Sequence, residues 1–234
     1  MLKFQAVKQT KTYAEIVEQI SKLIEQGELK PGERLPSERS LSSALNIGRQ
    51  SLREALSVLE AIGLLEVRHG IGTFVKQDAI SHLTTIPKNN EDLINPFELL
   101  EARRVIEVEL VSLAAKRATE LQIQDMEKAL EALKENEIEG RHAFDLDRNV
   151  HLAFARGANN QILYRTMLEI TEQMSQQLWI IMKERSLEVI GRGEKYHREH
   201  ETIFNAIKSR DHKMATHEML THLKNIERAF LQKE

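Results

Sequence analysis

Two sets of residues in this 234-residue sequence have the types and spacing to do chemistry. The first is Arg49, Gln50 and Arg53, three polar side chains within one helical turn. Arginine carries a planar fork of N–H donors and glutamine a paired donor and acceptor, the groups that read base edges in a DNA groove or hold phosphates. The second is Asp147, His151, His200 and His222. Asp147 and His151 lie one turn apart, on the helical face shared by Phe144 and Phe154. His200 falls on the apolar stripe of Tyr196, Ile203, Phe204 and Ile207, and His222 on that of Ala215, Met219, Ile226 and Phe230. A polar group on a core stripe costs roughly 2–7 kcal/mol if left unpaired. The four therefore need either mutual hydrogen bonds or a shared metal ion, and helical phase alone leaves both open. The chain has no cysteine, so a metal would be held by nitrogen and oxygen. One carboxylate with three imidazoles suits Zn²⁺, with Ni²⁺ or Mn²⁺ as alternatives. His197 is read as a rim residue one turn before His200, and His212 and His217 as exposed.

The first set sits on a helix that runs from Arg49 to Ile62 and turns Leu52, Ala55, Leu56, Leu59 and Ile62 inward. Before it come a helix over Tyr13–Gln26, closed by Gly27, and a short helix over Glu38–Leu45 with Ser37 as N-cap. Asn46-Ile47-Gly48 separates the second helix from the third. After Gly63, two β-rich runs, Leu64–Arg68 and Thr73–Lys76, join around Gly70 and Gly72 as a hairpin. Three helices, a tight break before the third and a two-stranded wing form the pattern of a winged helix-turn-helix, with the third helix in the major groove. Ser51 and the N–H groups at that helix's start would add phosphate contacts, and His69 and Gly70 at the wing tip would approach the minor groove or backbone.

Residues 79–96 carry Pro87, Asn89, Asn90 and Pro96 without sustained periodicity, and read as a linker. Beyond it there is no strand signal. Helical periodicity recurs over 97–118, 122–138, 143–156, 160–184, 187–208 and 212–232, predicting an all-α bundle. The expected organisation is thus mainly α: a DNA-binding domain over 1–78, a linker over 79–96 and a helical domain over 97–234.

The formal net charge of −3 excludes a generic polycation. Residues 1–77 hold 11 Lys and Arg against 9 Asp and Glu, and the rest hold 22 against 27, so the small basic excess lies with the helix-turn-helix. The absence of a secretory leader or a run of about 20 apolar residues predicts a cytoplasmic protein with no membrane partner.

The stretch GELKPGERLPSERSLSSALNIGRQSLREALSVLEAIGLLEVRHGIGTFV resembles the DNA-binding domain of the GntR family of bacterial regulators. The resemblance covers residues 12–76 and implies that Arg39, Arg49, Gln50, Ser51, Arg53, His69 and Gly70 take the DNA-contacting positions. Gly48 stands where the family commonly has Ser or Thr, giving up a side-chain cap while remaining an acceptable N-cap. In the second domain EARRVIEVELVSLAA, DRNVH with ARGANNQIL, and YHREHETIFNAIKSRDHKMATHEMLTHL resemble the FCD sensor domain of the FadR subgroup. In metal-containing members of that subgroup the ligands fall at the positions of Asp147, His151, His200 and His222. Val150 departs from the aromatic residue often found before the first histidine, which bears on packing and removes no ligand. The resemblance further implies a small organic acid as effector, homodimerisation and a near-palindromic operator. Arg103 matches the family's arginine in the first sensor helix, as a cation for the acid or as the ion-pair partner of Glu107. Asn160 matches an asparagine that either contacts ligand or caps a helix.

The function these readings predict is a DNA-binding transcription regulator, a repressor by the family's default, whose operator affinity responds to an acid bound near a metal. One alternative is a regulator for which the metal itself is the signal. Another is a metal-dependent hydrolase, against which stand the lack of an HExxH run and of a general base beyond the metal ligands.

Overall fold

The structure is a computed structural model that describes residues 12–68, 70–85, 94–135 and 141–232. It divides at Asn95/Pro96 into two compact units.

In the first unit, α1 (Thr12–Glu25) buries Ile16, Val17, Ile20, Leu23 and Ile24, the stripe expected from the sequence. The chain then reverses through Gly27, whose φ of +73° is left-handed, and Leu29 N–H returns to the Leu23 carbonyl at 2.9 Å. Helix α2 (Glu38–Leu45) starts where Ser37 Oγ accepts from the Ser40 N–H, and ends at Asn46, a left-handed C-cap. Two residues later Gly48 opens α3 (Arg49–Ala61) in an extended conformation with no side-chain cap, as its missing hydroxyl requires. Leu52, Ala55, Leu56 and Leu59 of α3 are buried, which fixes the opposite face toward solvent.

The wing is β1 (Leu65–Arg68) paired antiparallel with β2 (Gly72–Val75), in a register that sets Leu65 opposite Val75 and Arg68 opposite Gly72. A third extended segment, which the sequence did not disclose, lies along β2: Arg34 bridges to Phe74, Leu35 N–H donates to the Thr73 carbonyl, and Val75 N–H to that of Glu33. It occupies the edge of β2 that a simple hairpin would leave open. Part of the segment read as a linker is helical. Helix α4 (Ala79–His82) and a 3₁₀ turn (Leu83–Thr85) follow the wing, with Ala79 buried in the first unit.

The second unit is all helical among its described residues. Helix α5 (Pro96–Arg117) buries a mixed face of Leu99, Leu100, Leu110, Val111 and Ala114 together with Arg103 and Glu107. It is followed by α6 (Glu120–Glu135), α7 (Arg141–Gly157), α8 (Gln161–Gln173), α9 (Gln177–Leu187), α10 (Arg192–Lys208) and α11 (His212–Phe230). Packing is close where α7 ends. A Cβ on Gly157 would collide with the Met126 methyl and come within 3.2 Å of the Ala114 Cβ.

The single helix expected over 160–184 is two. The chain leaves the helical path at Met174–Gln176, and Gln176 re-enters it as the extended N-cap of α9 (φ −71°, ψ 146°). No proline or glycine marks this break. At the break Met174 is buried and Arg148 donates to Ser175 Oγ at 3.0 Å. The next helix begins at Arg192 rather than 187, because Gly191 takes a left-handed φ of +80° immediately before it.

Candidate functional site

Five helices of the second unit place ionisable side chains in one buried cluster. The i, i+4 spacing on α7 puts Asp147 and His151 on the face that also buries Phe154, α10 contributes His200 beside Tyr196 and Ile203, and α11 contributes His222 beside Met219 and Ile226. Helix α5 adds Arg103 and Glu107, and α9 adds Lys183. His200 and His222 have no exposed surface and His151 is 2% exposed, so their nitrogens are shielded from bulk solvent.

The three imidazoles each offer a nitrogen such that all three atoms lie within 4.8 Å of one another. His200 Nε2 is 3.1 Å from His151 Nε2 and 3.7 Å from Asp147 Oδ1, so the carboxylate expected on sequence stands at the edge of the same cluster. Two of the rings are held from behind by carboxylates. His151 Nδ1 is 2.5 Å from Glu107 Oε2, and His222 Nδ1 is 2.7 Å from Glu199 Oε2. Glu199 accepts from His222 Nδ1, which leaves the His222 Nε2 lone pair for the interior, whereas Glu107 is an ion-pair neighbour of His151 and Arg103 NH2 lies 3.2 Å from the His151 Nε2. The Nε2 of His222 and the Nδ1 of His200 are buried without a hydrogen-bond partner.

Electrostatics set the protonation states. Burial pushes the His200 imidazole well below its ordinary 6.5, and neighbouring His222 adds to this against the pull of Asp147. Burial, then His151 and Lys183, do the same to His222. Both rings are therefore neutral, the form that ligates metal. For Asp147 burial acts upward, but Lys183, His200, His151 and Arg103 outweigh it and hold the carboxyl well below the usual range. Glu107 is likewise held ionised against burial by Arg103 and His151. Burial first, with Glu199 and Asp147 acting in the same direction against Arg192 and Ser186, pushes the Tyr196 hydroxyl up to about 12.

Three buried imidazoles, each with a nitrogen within 4.8 Å of the other two, beside the Asp147 carboxylate, are a donor set of the kind that holds a divalent ion. The Nε2 of His222 and the Nδ1 of His200 are the cluster's ring nitrogens that hydrogen bonding within the chain leaves without a partner. The residues fit Zn²⁺, and Ni²⁺ or Mn²⁺ within the same chemistry.

Arg103 is fully buried and ion-pairs with Glu107, as one of its two sequence readings expected, while its NH2 lies 3.2 Å from His151 Nε2. Its NH1 has no hydrogen-bond partner. Asn160 is the N-cap of α8, its carboxamide oxygen accepting from the N–H groups of Ile162 and Leu163 at 3.1 and 3.2 Å. None of its described contacts joins it to the histidine cluster. His197 is half-buried and bonded to Glu201, outside the cluster, in keeping with a rim residue.

Sequence reasoning missed Lys183, Glu199 and Asn225. Lys183 is 4% exposed, with its ammonium 3.6 Å from Asp147 Oδ2 and over the Tyr196 ring at 4.7 Å. Its inward phase is legible only once α9 is recognised as a separate helix, since a continuous 160–184 helix carries the wrong phase past the break. Glu199 neighbours His200 in sequence and so points about 100° away from it. What it reaches is the facing helix α11, where Asn225 donates to its other oxygen at 2.6 Å.

In the first unit the side chains expected to meet DNA lie on the surface. Arg39, Arg49, Gln50 and Arg53 are exposed and Ser51 is half-buried at the start of α3. Arg53 Nε donates to Glu38 Oε2 at 2.8 Å, and Gln50 Nε2 to Glu54 Oε1 at 3.0 Å. Gly70 is exposed at the wing turn with φ +72°, while His69 lies outside the described residues.

Known proteins fit both units. Residues 12–75 match the bacterial regulatory proteins of the gntR family, and residues 98–225 match the FCD domain. The chain is 31% identical to the HTH-type transcriptional regulator LutR of Bacillus subtilis (strain 168), over 88% of this chain and 94% of that protein. It is 32% identical to the Uxu operon transcriptional regulator of Escherichia coli (strain K12), over 94% of this chain and 87% of that one. A third relative, the HTH-type transcriptional repressor NanR of Klebsiella aerogenes, is 32% identical over 90% of this chain and 82% of its own length. These relatives are transcription regulators and not enzymes. No helix among the described residues is long and apolar enough to cross a membrane.

Proposed function

The chain belongs to the GntR family of bacterial transcription regulators, with the FCD domain of its FadR subgroup, and from that premise we propose that a small organic acid, bound beside a divalent metal ion in the helical unit, governs its affinity for operator DNA. It is a DNA-binding regulator, and the hydrolase alternative falls with the regulatory character of its relatives. The observation that carries the metal reading is the set of three buried imidazoles, two of them backed by carboxylates.

In this reading His151, His200, His222 and Asp147 hold Zn²⁺, with Ni²⁺ or Mn²⁺ as substitutes. The ion supplies a Lewis-acidic centre for the oxygens of a carboxylate. Glu199 keeps the Nε2 lone pair of His222 inward. Arg103 clamps Glu107, and its buried NH1 is the donor that α5 leaves for an acid. Acid bound there stabilises one packing of the helices around the cluster, and its differential affinity for the two packings is the free energy available to alter DNA binding.

At the DNA, Arg49, Gln50 and Arg53 read base edges from α3, Arg39 and Ser51 contact phosphates, and Gly70 with His69 brings the wing against the backbone. The protein acts as a cytoplasmic homodimer on a near-palindromic operator, and as a repressor, the activity that the Klebsiella relative's name records for that protein. The test is operator binding by fluorescence anisotropy with acetate, lactate, malate and citrate, on metal-loaded and chelator-stripped protein. Weakening by one acid, only in the loaded protein, is the expected result. Operator affinity that follows metal and ignores every acid would make the ion itself the signal.

A further inference from the structure

One arginine beside the wing is held in place and holds nothing itself. Arg34 pairs with Phe74 at the outer edge of β2, and Phe74 pairs in turn with Glu66 of β1, so the three side chains stand on one face of the wing. Arg68 and Gly72, two residues along each strand, share that face, while Leu65 and Val75 are buried on the other. Arg68 already has its partners. Its guanidinium lies 4.2 Å from the centre of the Phe74 ring and pairs with Glu66. Arg34 is exposed, and among the described residues its side chain makes no hydrogen bond or ion pair. Its guanidinium nevertheless has a seat, lying so close over Gly72 that a Cβ there would stand 2.7 Å from Nε and 3.2 Å from the central carbon.

The seat also sets a direction. The Arg34 backbone pairs with Phe74, yet its guanidinium reaches Gly72, two residues nearer the turn at Gly70, so the side chain runs along β2 toward the wing tip. Downstream, Leu35 and Pro36 lead to Ser37, the cap of α2, and to Glu38, which accepts from Arg53 of α3. Arg34 therefore lies on the strip of chain that joins the wing to the DNA-reading helix. Resting on the reading that sets α3 and the wing tip against DNA, we propose that Arg34 is a further DNA contact, a clamp on the phosphate backbone between the groove entered by α3 and the groove met by the wing. A guanidinium takes a phosphate through parallel N–H donors, and a phosphate carries no base identity, so the clamp adds affinity without sequence preference. Gly72 contributes by leaving room for a guanidinium already in position, which lowers the ordering cost of the contact.

The experiment measures binding of the full-length protein, by fluorescence anisotropy across a salt series, to a duplex it selects from a random pool and to the same duplex with its base order scrambled. Arg34→Met keeps an unbranched stem over Gly72 without the charge, Arg34→Lys restores the charge, and Arg49→Ala is the control on α3. Arg34→Met should bind both duplexes roughly tenfold more weakly at about 0.1 M salt and lower the slope of log affinity against log salt by about 0.9. Arg34→Lys should recover the slope, with the preference for the selected duplex and the melting midpoint unchanged in both variants. An unaltered slope in Arg34→Met, while Arg49→Ala loses the selected duplex, overturns the clamp and leaves α3 as the reading helix. Wild-type binding in both Arg34→Met and Arg49→Ala overturns the clamp and the reading of α3 together. A loss confined to the selected duplex would make Arg34 a reader of bases and overturn its assignment to phosphate. Should Arg34→Met fold poorly, Arg34→Gln carries the same test.

Discussion

His222 Nδ1 sits 2.7 Å from Glu199 Oε2, while the other oxygen of that carboxylate accepts from Asn225 Nδ2 at 2.6 Å. Glu199 is thus fixed at both oxygens and fixes in turn the tautomer of His222, whose Nε2 is left bare inside the cluster. Glu199→Ala should weaken metal binding about 10–100-fold, read by competition with a chromophoric chelator. Glu199→Gln keeps an acceptor for the Nδ1 proton and should fall between the variant and wild type. Equal affinity in all three proteins would show that His222 is oriented by its packing alone.

On the DNA side, the pair Arg53–Glu38 separates two roles of one arginine. Glu38 accepts a hydrogen bond from Nε, and the terminal nitrogens of Arg53 are the ones proposed to meet DNA. Each side chain is more than 40% exposed, so the pair contributes little to stability. Arg49→Ala and Arg53→Ala should each weaken operator binding by about 1–3 kcal/mol if they read bases, with melting midpoints unchanged. Glu38→Gln should leave affinity near wild type. A variant that loses a phosphate contact instead reduces the slope of log affinity against log salt by about 0.9. Operator binding unaffected by both arginine variants would remove α3 from the interface.

The winged helix-turn-helix was legible because its signals are local. Ser37 as cap, the Asn46–Gly48 break and the stripe from Leu52 to Leu59 each act within a few residues, and α2 appears at its expected bounds. The burial of Asp147, His151, His200 and His222 was legible from phase, since a histidine on an apolar stripe has to be buried somewhere, while their reading as metal ligands came from the family resemblance. What stayed hidden depends on contacts between distant segments. The strand-like Arg34–Leu35 segment needs β2 as its partner, Glu199 needs the crossing of α10 and α11, and Lys183 needs the break before α9, which no proline or glycine announces.

Acid should destabilise the metal-stripped protein in two stages. His200 and His222 are held well below their ordinary 6.5 when folded, so as pH falls through 6.5 the unfolded chain takes up protons that the folded one refuses. Stability is then lost with falling pH, and it is fully present only above 6.5. Glu107 and Asp147, held below their ordinary 4.5 and 3.8, add a second loss as pH drops through those values. Melting midpoints measured from pH 8 to pH 4 should decline below about 6.5, and His222→Phe should flatten the first stage. A midpoint level down to pH 5 would mean that the imidazoles titrate as exposed groups do.

Asn160 distinguishes a cap from a ligand contact. Its Oδ1 receives two of the N–H groups that the first turn of α8 cannot satisfy internally, so Asn160→Ala should cost about 0.5–2 kcal/mol of stability. Asn160→Asp supplies the same acceptor with a charge favourable to a helix N-terminus and should restore or exceed the wild-type midpoint. Affinity for the responsive acid should be the same in all three proteins, because the carboxamide oxygen already has its partners. If Asn160→Asp restored the midpoint while acid affinity fell, repulsion between the new carboxylate and the bound acid would be the cause, and Asn160 would belong to the effector site after all.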